Sequence, residues 1–200
     1  MYGSAQILPI SEQHPLVAQS PYAATKIAAD KLAESYHLSF DVPIVTARPF
    51  NTFGPRQTAR AVIPTIASQL LSGKEEIFLG SLTPMRDFNY VEDTVMAIIA
   101  LALCDEAVGQ TVNIGSGKEW SIGDTVALLC EITGSQPKIT LDQKRVRPEN
   151  SEVNRLLADN SKLLALTDWR PKTNFKKGLS YTVEWIEKNM SYFDVHKYSR

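Results

Sequence analysis

Short β-branched strands alternate with helical stretches along this 200-residue chain, and that alternation restricts its fold more than any other feature. A strand that returns to its sheet through a helix pairs in parallel, so the pattern implies an α/β class with a parallel component. Strands are expected at Pro43–Arg48, stopped by Pro49, at Ile77–Leu79 before a Gly-Ser turn, and at Thr111–Ile114. A helix is expected from Pro21 to about Ser39, with Ser20 as N-cap and Ala24, Ile27, Ala28, Leu32 and Tyr36 on one broad apolar side. Further helices are read at Ala61–Ser72 with Gly73 as C-cap, and at Glu92–Cys104, where near-uniform apolarity predicts deep burial. Ser121 caps another, with Asp124 as an approximate capping box, an apolar face of Ile122, Val126, Leu129 and Cys130, and Gly134 at its end. The last two are Ser161–Leu166 and Phe175–Asn189, the latter with Leu179, Val183 and Ile186 inward, and residues 1–19 read as loop.

A formal charge of −1, with both signs mixed along the chain, argues against a nucleic-acid or acidic-membrane partner recruited by bulk charge. The densest basic stretch, Lys144–Arg147, is short. Cys104 and Cys130 sit in apolar runs without a second thiol or a histidine at ligand spacing, so they read as core thiols rather than a zinc site or a disulfide, which suits a reducing cytoplasm. No signal-peptide pattern follows Met1, and the apolar run Val95–Leu103 is too short to cross a bilayer.

Four constellations carry chemistry. Tyr22 and Lys26 stand four residues apart in the first turns of a helix, so they share a face; an ammonium beside a phenol favours the phenolate, as does the helix N-terminus. Arg48-Pro-Phe-Asn-Thr-Phe-Gly-Pro-Arg56 places an amide, a glycine and two guanidinium groups where a strand ends, and open α/β sheets bind ligands at such ends. There Asn51 and Arg56 can hold phosphate or sugar oxygens, or form no more than an exposed turn. Arg86, in Arg86-Asp-Phe-Asn-Tyr-Val-Glu-Asp93, is either a phosphate clamp or the partner of a carboxylate in the same segment. Arg145-Val-Arg147-Pro-Glu149 offers guanidinium groups to a diphosphate and a carboxylate to ribose hydroxyls, or is a solvated charged loop. Gly115-Ser-Gly117 imitates the start of a dinucleotide fingerprint, but Trp120 stands where the third glycine belongs, so it reads as a strand-to-helix turn.

In this order and spacing the segments resemble the extended short-chain dehydrogenase/reductases that act on nucleotide sugars. The resemblance is carried by Tyr2-Gly3, Ser20-Pro-Tyr22-Ala-Ala-Thr-Lys26, Arg48-Pro-Phe-Asn51-Thr-Phe-Gly-Pro55, Arg86 to Asp93, Asn113-Ile-Gly-Ser-Gly117 and Arg147-Pro148-Glu149, nearly the whole chain. The run Pro49–Pro64 is most similar to bacterial 4,6-dehydratases of UDP- or GDP-linked N-acetylhexosamines.

The resemblance implies a partial doubly wound, Rossmann-like parallel sheet plus a small α/β substrate-binding lobe. Residues 1–53 and 91–115 would belong to the NAD-binding part, and 54–90 and 116–200 to the nucleotide-sugar lobe. It implies Tyr22 as the catalytic base at sugar O4, with Lys26 tuning it and binding the nicotinamide ribose. Pro49 and Phe50 would line the nicotinamide end. Asn51, Arg86 and Arg147 would meet the diphosphate, Val62, Ile63 and Pro64 would flank the base, and Glu149 would approach the ribose, although the family more often has its acid one residue later, where Asn150 stands. The family's glycine-rich loop and the upstream Thr and Glu of the dehydratases have no counterpart in these residues. The expectation is therefore a chain inactive by itself that works as a homo-oligomer through the Tyr22 helix or with a complementing N-terminal half.

Overall fold

The computed structural model describes residues 1–146 and 153–193. In chain order its elements are α1 (Pro21–Phe40), β1 (Thr46–Pro49), β2 (Asn51–Phe53), α2 (Val62–Leu71), β3 (Glu76–Leu79), β4 (Met85–Tyr90), α3 (Val91–Ala102), β5 (Thr111–Ile114), β6 (Glu119–Ser121), α4 (Ile122–Thr133), β7 (Lys138–Leu141), β8 (Arg155–Leu156), α5 (Ser161–Leu166) and α6 (Phe175–Lys188). They gather into two compact units made of non-contiguous stretches: residues 1–52, 85–119 and 153–172, and residues 53–84, 120–146 and 173–193.

The first unit is built on β1 and β5, paired in parallel with Thr46 opposite Thr111 and Pro49 opposite Ile114. Side chains alternate across a strand, so this register creates two unlike faces. On one, Ala47, Val112 and Ile114 pack with Ala97 and Leu101 of α3, Leu163 of α5, and Trp169. On the other, Arg48 and Asn113 meet polar partners, including Asp30 of α1 and the carbonyl of Ile10. α1 and α3 therefore cover opposite faces of the pair.

β1 begins three residues later than its composition suggests and contains Pro49 instead of stopping before it. The reason is parity. Thr46 N–H donates to Gln110 C=O at 2.9 Å and Phe50 N–H to Ile114 C=O at 2.8 Å, so even-numbered residues face β5. The N–H that Pro49 lacks belongs to the other side, and no bond to β5 is lost.

α1 starts as expected: the Ser20 hydroxyl accepts from Ala23 N–H at 3.2 Å and Pro21 takes the first position, where its missing donor costs nothing. Its apolar residues are placed differently. Only Ala23 is buried, while Leu32, Tyr36, Leu38 and Phe40 are exposed. α3 departs further from its expected deep burial. It buries Asp93, Thr94, Ala97 and Leu101 but leaves Val95, Met96, Ile98 and Ile99 exposed, because only one side of the helix meets the β1–β5 pair.

The Gly115-Ser-Gly117 turn leads into β6 before α4 begins, a strand between turn and helix that composition did not show. Its first glycine is explained by close approach: a Cβ there would lie 2.4 Å from the Ala158 Cβ and 2.7 Å from Asp87 Oδ2. The cysteines are half-buried, not core. The Cys104 thiol, just past α3, donates to Leu166 C=O at 3.3 Å, and burial pushes the Cys130 thiol up.

The second unit packs α2, α4 and α6 together around Ile63, Ile66, Leu70, Leu129, Leu179 and Ile186, all buried. Full burial of each such side chain is worth about 1.5–3 kcal/mol over exposure, so this cluster dominates the unit's stability. Beside it β3 and β7 pair in parallel, Ile77 opposite Ile139. The buried amide of Gln69 accepts from Phe78 N–H at 2.9 Å and donates to Phe78 C=O at 3.2 Å, so a helix side chain stands in for a neighbouring strand and closes that edge of β3.

The capping box of α4 is complete. The Ser121 hydroxyl accepts from Asp124 N–H at 2.9 Å, and Asp124 accepts from Ser121 N–H at 3.1 Å. The Ser121 hydroxyl and backbone hold the Asp124 carboxyl below its ordinary value. A depressed folded-state value means that the cap's contribution is present above the ordinary carboxylate range, near pH 4, and is lost as pH falls through the folded value. Thermal melts between neutral and acidic pH should therefore show a smaller acid-induced loss for Asp124→Asn than for the parent; equal losses would remove Asp124 from the pH dependence.

Candidate active site

Tyr22 and Lys26 occupy successive turns of α1, with the Lys26 ammonium 5.5 Å from the centre of the Tyr22 ring. Tyr22 is 69% exposed, so its hydroxyl is accessible to a ligand. The same helical stripe continues through Ala29, Asp30 and Ala33 and forms one wall of a groove of about 480 Å³, whose other wall is residues 44–49. A second hollow of about 260 Å³ shares Tyr22, Arg48 and Pro49 and adds Tyr2, Phe50 and Asn51. Five residues singled out in the sequence, Tyr22, Lys26, Pro49, Phe50 and Asn51, are thus brought together at the carboxyl end of β1.

Beneath them lies a polar network. Arg48 is buried and paired with Asp30 through both Nη2 and, at 3.1 Å, Nε. Its Nη1 donates to the Tyr2 hydroxyl at 2.9 Å, which donates to Asn113 Oδ1 at 2.6 Å, and Glu12 accepts from Asn113 N–H at 2.8 Å. Burial pushes the Tyr2 phenol up, against the Arg48 and Asn113 contacts, so it stays protonated and able to donate. For Arg48 burial opposes the charge, but the Asp30 and Tyr2 contacts overcome it and hold the guanidinium above its ordinary value. Arg48 is therefore no ligand-facing group of the following loop: it fastens α1 to β1. Of the two guanidinium groups expected there, Arg56 alone is exposed, on a left-handed backbone with φ of 67°.

Asp30 was not singled out in the sequence, yet it follows Tyr22 and Lys26 at the same four-residue step, and that spacing was the available signal. A second unforeseen residue is Asp87, fully buried on β4. It does not pair with Arg86. It accepts from Ser116 N–H at 2.8 Å, the Ser116 hydroxyl at 2.6 Å, Gly117 N–H at 3.1 Å and Ala158 N–H at 3.1 Å. Asp93 likewise serves the backbone, accepting from Lys172 N–H at 3.0 Å.

The remaining expected residues lie elsewhere. Arg86 is half-buried on β4, donates to Met85 C=O at 2.9 Å, and stands opposite Leu156, which lines the smaller hollow. Val62, Ile63 and Pro64 open α2 in the second unit; Ile63 and Pro64 are buried there and Val62 is half-buried. Arg147 and Glu149 lie outside the described residues. Among the described residues no helix is long and apolar enough to cross a membrane.

A phenol and an ammonium beside the carboxyl end of a parallel strand define the ligand-binding end of a Rossmann-like α/β protein. Known proteins narrow that class: the sequence profile described as GDP-mannose 4,6 dehydratase matches residues 1–182, and the chain belongs to this family of nucleotide-sugar dehydratases and epimerases. It is 32% identical over 96% of its length to a dTDP-glucose 4,6-dehydratase from an Actinoplanes species, of which it covers 59%. It is 29% identical to the structure of dTDP-glucose 4,6-dehydratase from Bacillus anthracis in complex with NAD, with a TM-score of 0.85 over 96% of this chain and 60% of that one. UDP-glucuronic acid 4-epimerase from Bacillus cereus, solved with UDP-glucuronic acid and NAD, is 28% identical with a TM-score of 0.86, over 94% and 59%. The chain thus spans a little under two thirds of these relatives, and the family cofactor is NAD.

Proposed function

We propose that this chain carries the acid/base pair and the nucleotide-sugar lobe of an NAD-dependent nucleotide-sugar 4,6-dehydratase or 4-epimerase. The observation that supports this most directly is the convergence of Tyr22, Lys26, Pro49, Phe50 and Asn51 around two adjoining hollows at the end of β1. The residues present fit the nicotinamide end of NAD: Pro49 and Phe50 supply an apolar wall, and the Lys26 ammonium supplies a donor for ribose hydroxyls. When bound, NAD supplies the acceptor for a hydride from sugar C4. Tyr22 takes the proton from the O4 hydroxyl, and Lys26 binds the nicotinamide ribose beside it. Asn51 orients the substrate near its diphosphate, with Arg86 and Arg147 as the cationic partners, Glu149 at the ribose, and Val62, Ile63 and Pro64 beside the base. On this reading the first unit belongs to the cofactor side and the second to the nucleotide sugar.

A second reading, binding without turnover, follows for the chain taken alone. Its 200 residues hold no glycine-rich phosphate loop, whose backbone amides a dinucleotide pyrophosphate needs, and no acid/base pair for C5 and C6. Parallel calorimetric titrations with UDP-N-acetylglucosamine, GDP-N-acetylglucosamine, dTDP-glucose and NAD test both. We expect heat from one nucleotide sugar, none from NAD, and no turnover. Silence with every nucleotide sugar would remove the proposed lobe, and turnover by the isolated chain would refute the second reading.

Self-association belongs to the same proposal. Ala24, Ala28, Leu32, Tyr36 and Phe40 repeat every four residues along the exposed side of α1, with the Tyr36 and Phe40 rings 5.5 Å apart. Light scattering should report a dimer whose population falls in Tyr36→Glu. A monomer at the highest attainable concentration would remove this interface.

A further inference from the structure

The two outer edges of the β3–β7 pair in the second unit are finished differently. In a parallel ladder the N–H and C=O of a residue point to the same side, and successive residues point to opposite sides. Lys138 N–H donates to Glu75 C=O and Asp142 N–H to Leu79 C=O, each at 2.8 Å, so the even-numbered residues of β7 face β3. Ile139 and Leu141 therefore direct their N–H and C=O away from it. On the far side of β3, the Gln69 amide takes the equivalent groups of Phe78. Among the described residues nothing does so for Ile139 and Leu141. Their side chains are uncovered as well. Their ladder partners Ile77 and Leu79 are buried, whereas Ile139 is 42% and Leu141 55% exposed.

Unpaired strand edges invite pairing, and the residues of this edge say with what. A strand that meets its own copy about a two-fold axis runs antiparallel to it, and every contact is made twice. With Thr140 on the axis, Ile139 stands opposite Leu141 of the second copy and Lys138 opposite its Asp142. Ile139 and Leu141 then exchange both of their N–H···O=C bonds, and their side chains meet on one face of the sheet. On the other face the ammonium meets the carboxylate. A slip by one residue would turn the free backbone groups away from the partner. Moving the axis to Ile139 sets Leu141 against Pro137, which has no N–H to give. Moving it to Leu141 sets Lys138 against Lys144 and Ile139 against Gln143, in the 3-10 turn Gln143–Arg145 that leaves the strand. Only the register centred on Thr140 uses every free donor and opposes no like charges.

We propose that the open edge of β7 is a self-recognition site, where Ile139 and Leu141 pair antiparallel with Leu141 and Ile139 of a second copy of this chain. Two β3–β7 pairs thereby join into one four-stranded sheet across a two-fold axis at Thr140. The strand has four residues, so its contact is smaller than a stable dimer interface and acts at high protein concentration, or between copies already linked elsewhere. Together with a contact through α1 it links copies into assemblies larger than a dimer. The proposal rests on backbone parity and residue order in the second unit, not on the catalytic reading, so either can fail without the other.

Disulfide trapping of the full chain tests this, in a background of Cys104→Ser, Cys130→Ala and Tyr36→Glu that removes the native thiols and the α1 contact. Opposed residues that do not share hydrogen bonds have Cα atoms about 4.5 Å apart, within reach of a disulfide. Thr140→Cys should therefore form a covalent dimer in a glutathione redox buffer on the order of 10-fold faster than Gln136→Cys, which lies far from the axis. It should also outpace Ile139→Cys, which stands two positions out of register with its own copy. Adding Leu141→Pro, tolerated on an open edge, removes one donor from each copy and should slow the Thr140→Cys reaction by on the order of 10-fold. Amide exchange by NMR on the chain with its native residues gives a second measurement. The Ile139 and Leu141 amides should gain protection as concentration rises, while the Thr140 amide, bonded to β3, stays protected throughout. Cross-linking at Thr140 no faster than at Gln136 would overturn the proposal, as would faster cross-linking at Ile139 or indifference to Leu141→Pro. So would Ile139 and Leu141 amides whose exchange does not change with concentration.

Discussion

Asp87→Ala is expected to destabilise the first unit strongly. The substitution removes the acceptor of three backbone N–H groups, from Ser116, Gly117 and Ala158, together with that of the Ser116 hydroxyl. An orphaned buried donor costs about 1–3 kcal/mol, so the sum is about 3–5 kcal/mol even if water reaches one of them. Single domains have about 5–15 kcal/mol in total, and urea unfolding should show a midpoint reduced by a third or more. A loss under about 1 kcal/mol, the worth of one ordinary hydrogen bond, would mean that the turn and the segment at Ala158 are held by something else.

Asp87 also has a pH signature. Burial pushes its carboxyl above the ordinary value, and the four donors oppose that rise without cancelling it. A raised folded-state value means the folded form binds its proton more readily. The stability contributed by that proton is full below the ordinary value near pH 4 and is lost as pH rises through the folded value. Asp87→Asn keeps one acceptor oxygen and cannot titrate, so it should cost less than alanine and flatten stability against pH in that window.

Asp30→Ala is expected to have a comparable effect through a different cause. It strands the buried Arg48 guanidinium, whose side chain is only 7% exposed. Removing one partner of a buried pair costs about 3–5 kcal/mol, because the remaining charge is left uncompensated. The double substitution Asp30→Leu with Arg48→Met should cost clearly less than the two singles combined, since it leaves no buried charge. Additive costs in denaturant unfolding would show that the pair is not coupled. Because this pair joins α1 to β1, the single variant should also lose amide protection in α1 before it loses any in the second unit.

These residues show where reading the sequence stops. Ser20-Pro21, the Ser121–Asp124 capping box and the inward stripe of Leu179, Val183 and Ile186 were all legible, and the structure has each of them. The pairing of Tyr22 with Lys26 was legible too, because four residues make one turn of helix. The strands β2, β4, β6, β7 and β8 were not: charged and polar residues are mixed through them, as in Met85–Tyr90, so they lack the apolar, β-branched runs by which a short strand is recognised.

Local chain geometry therefore settled, from the sequence alone, which stretches are helices, where they begin, and that a phenol and an ammonium share a face near the end of a strand. Tertiary structure alone decided that Arg48 turns inward to Asp30, eighteen residues away, instead of outward to a ligand. It also decided that Asp87 serves an amide seventy-one residues on, and that the apolar residues of α3 are split between core and surface. The difference is physical. Caps and helical faces depend on groups within four residues of each other, whereas the partner of a buried charge and the cover of an apolar side chain depend on which distant segment the chain folds against them.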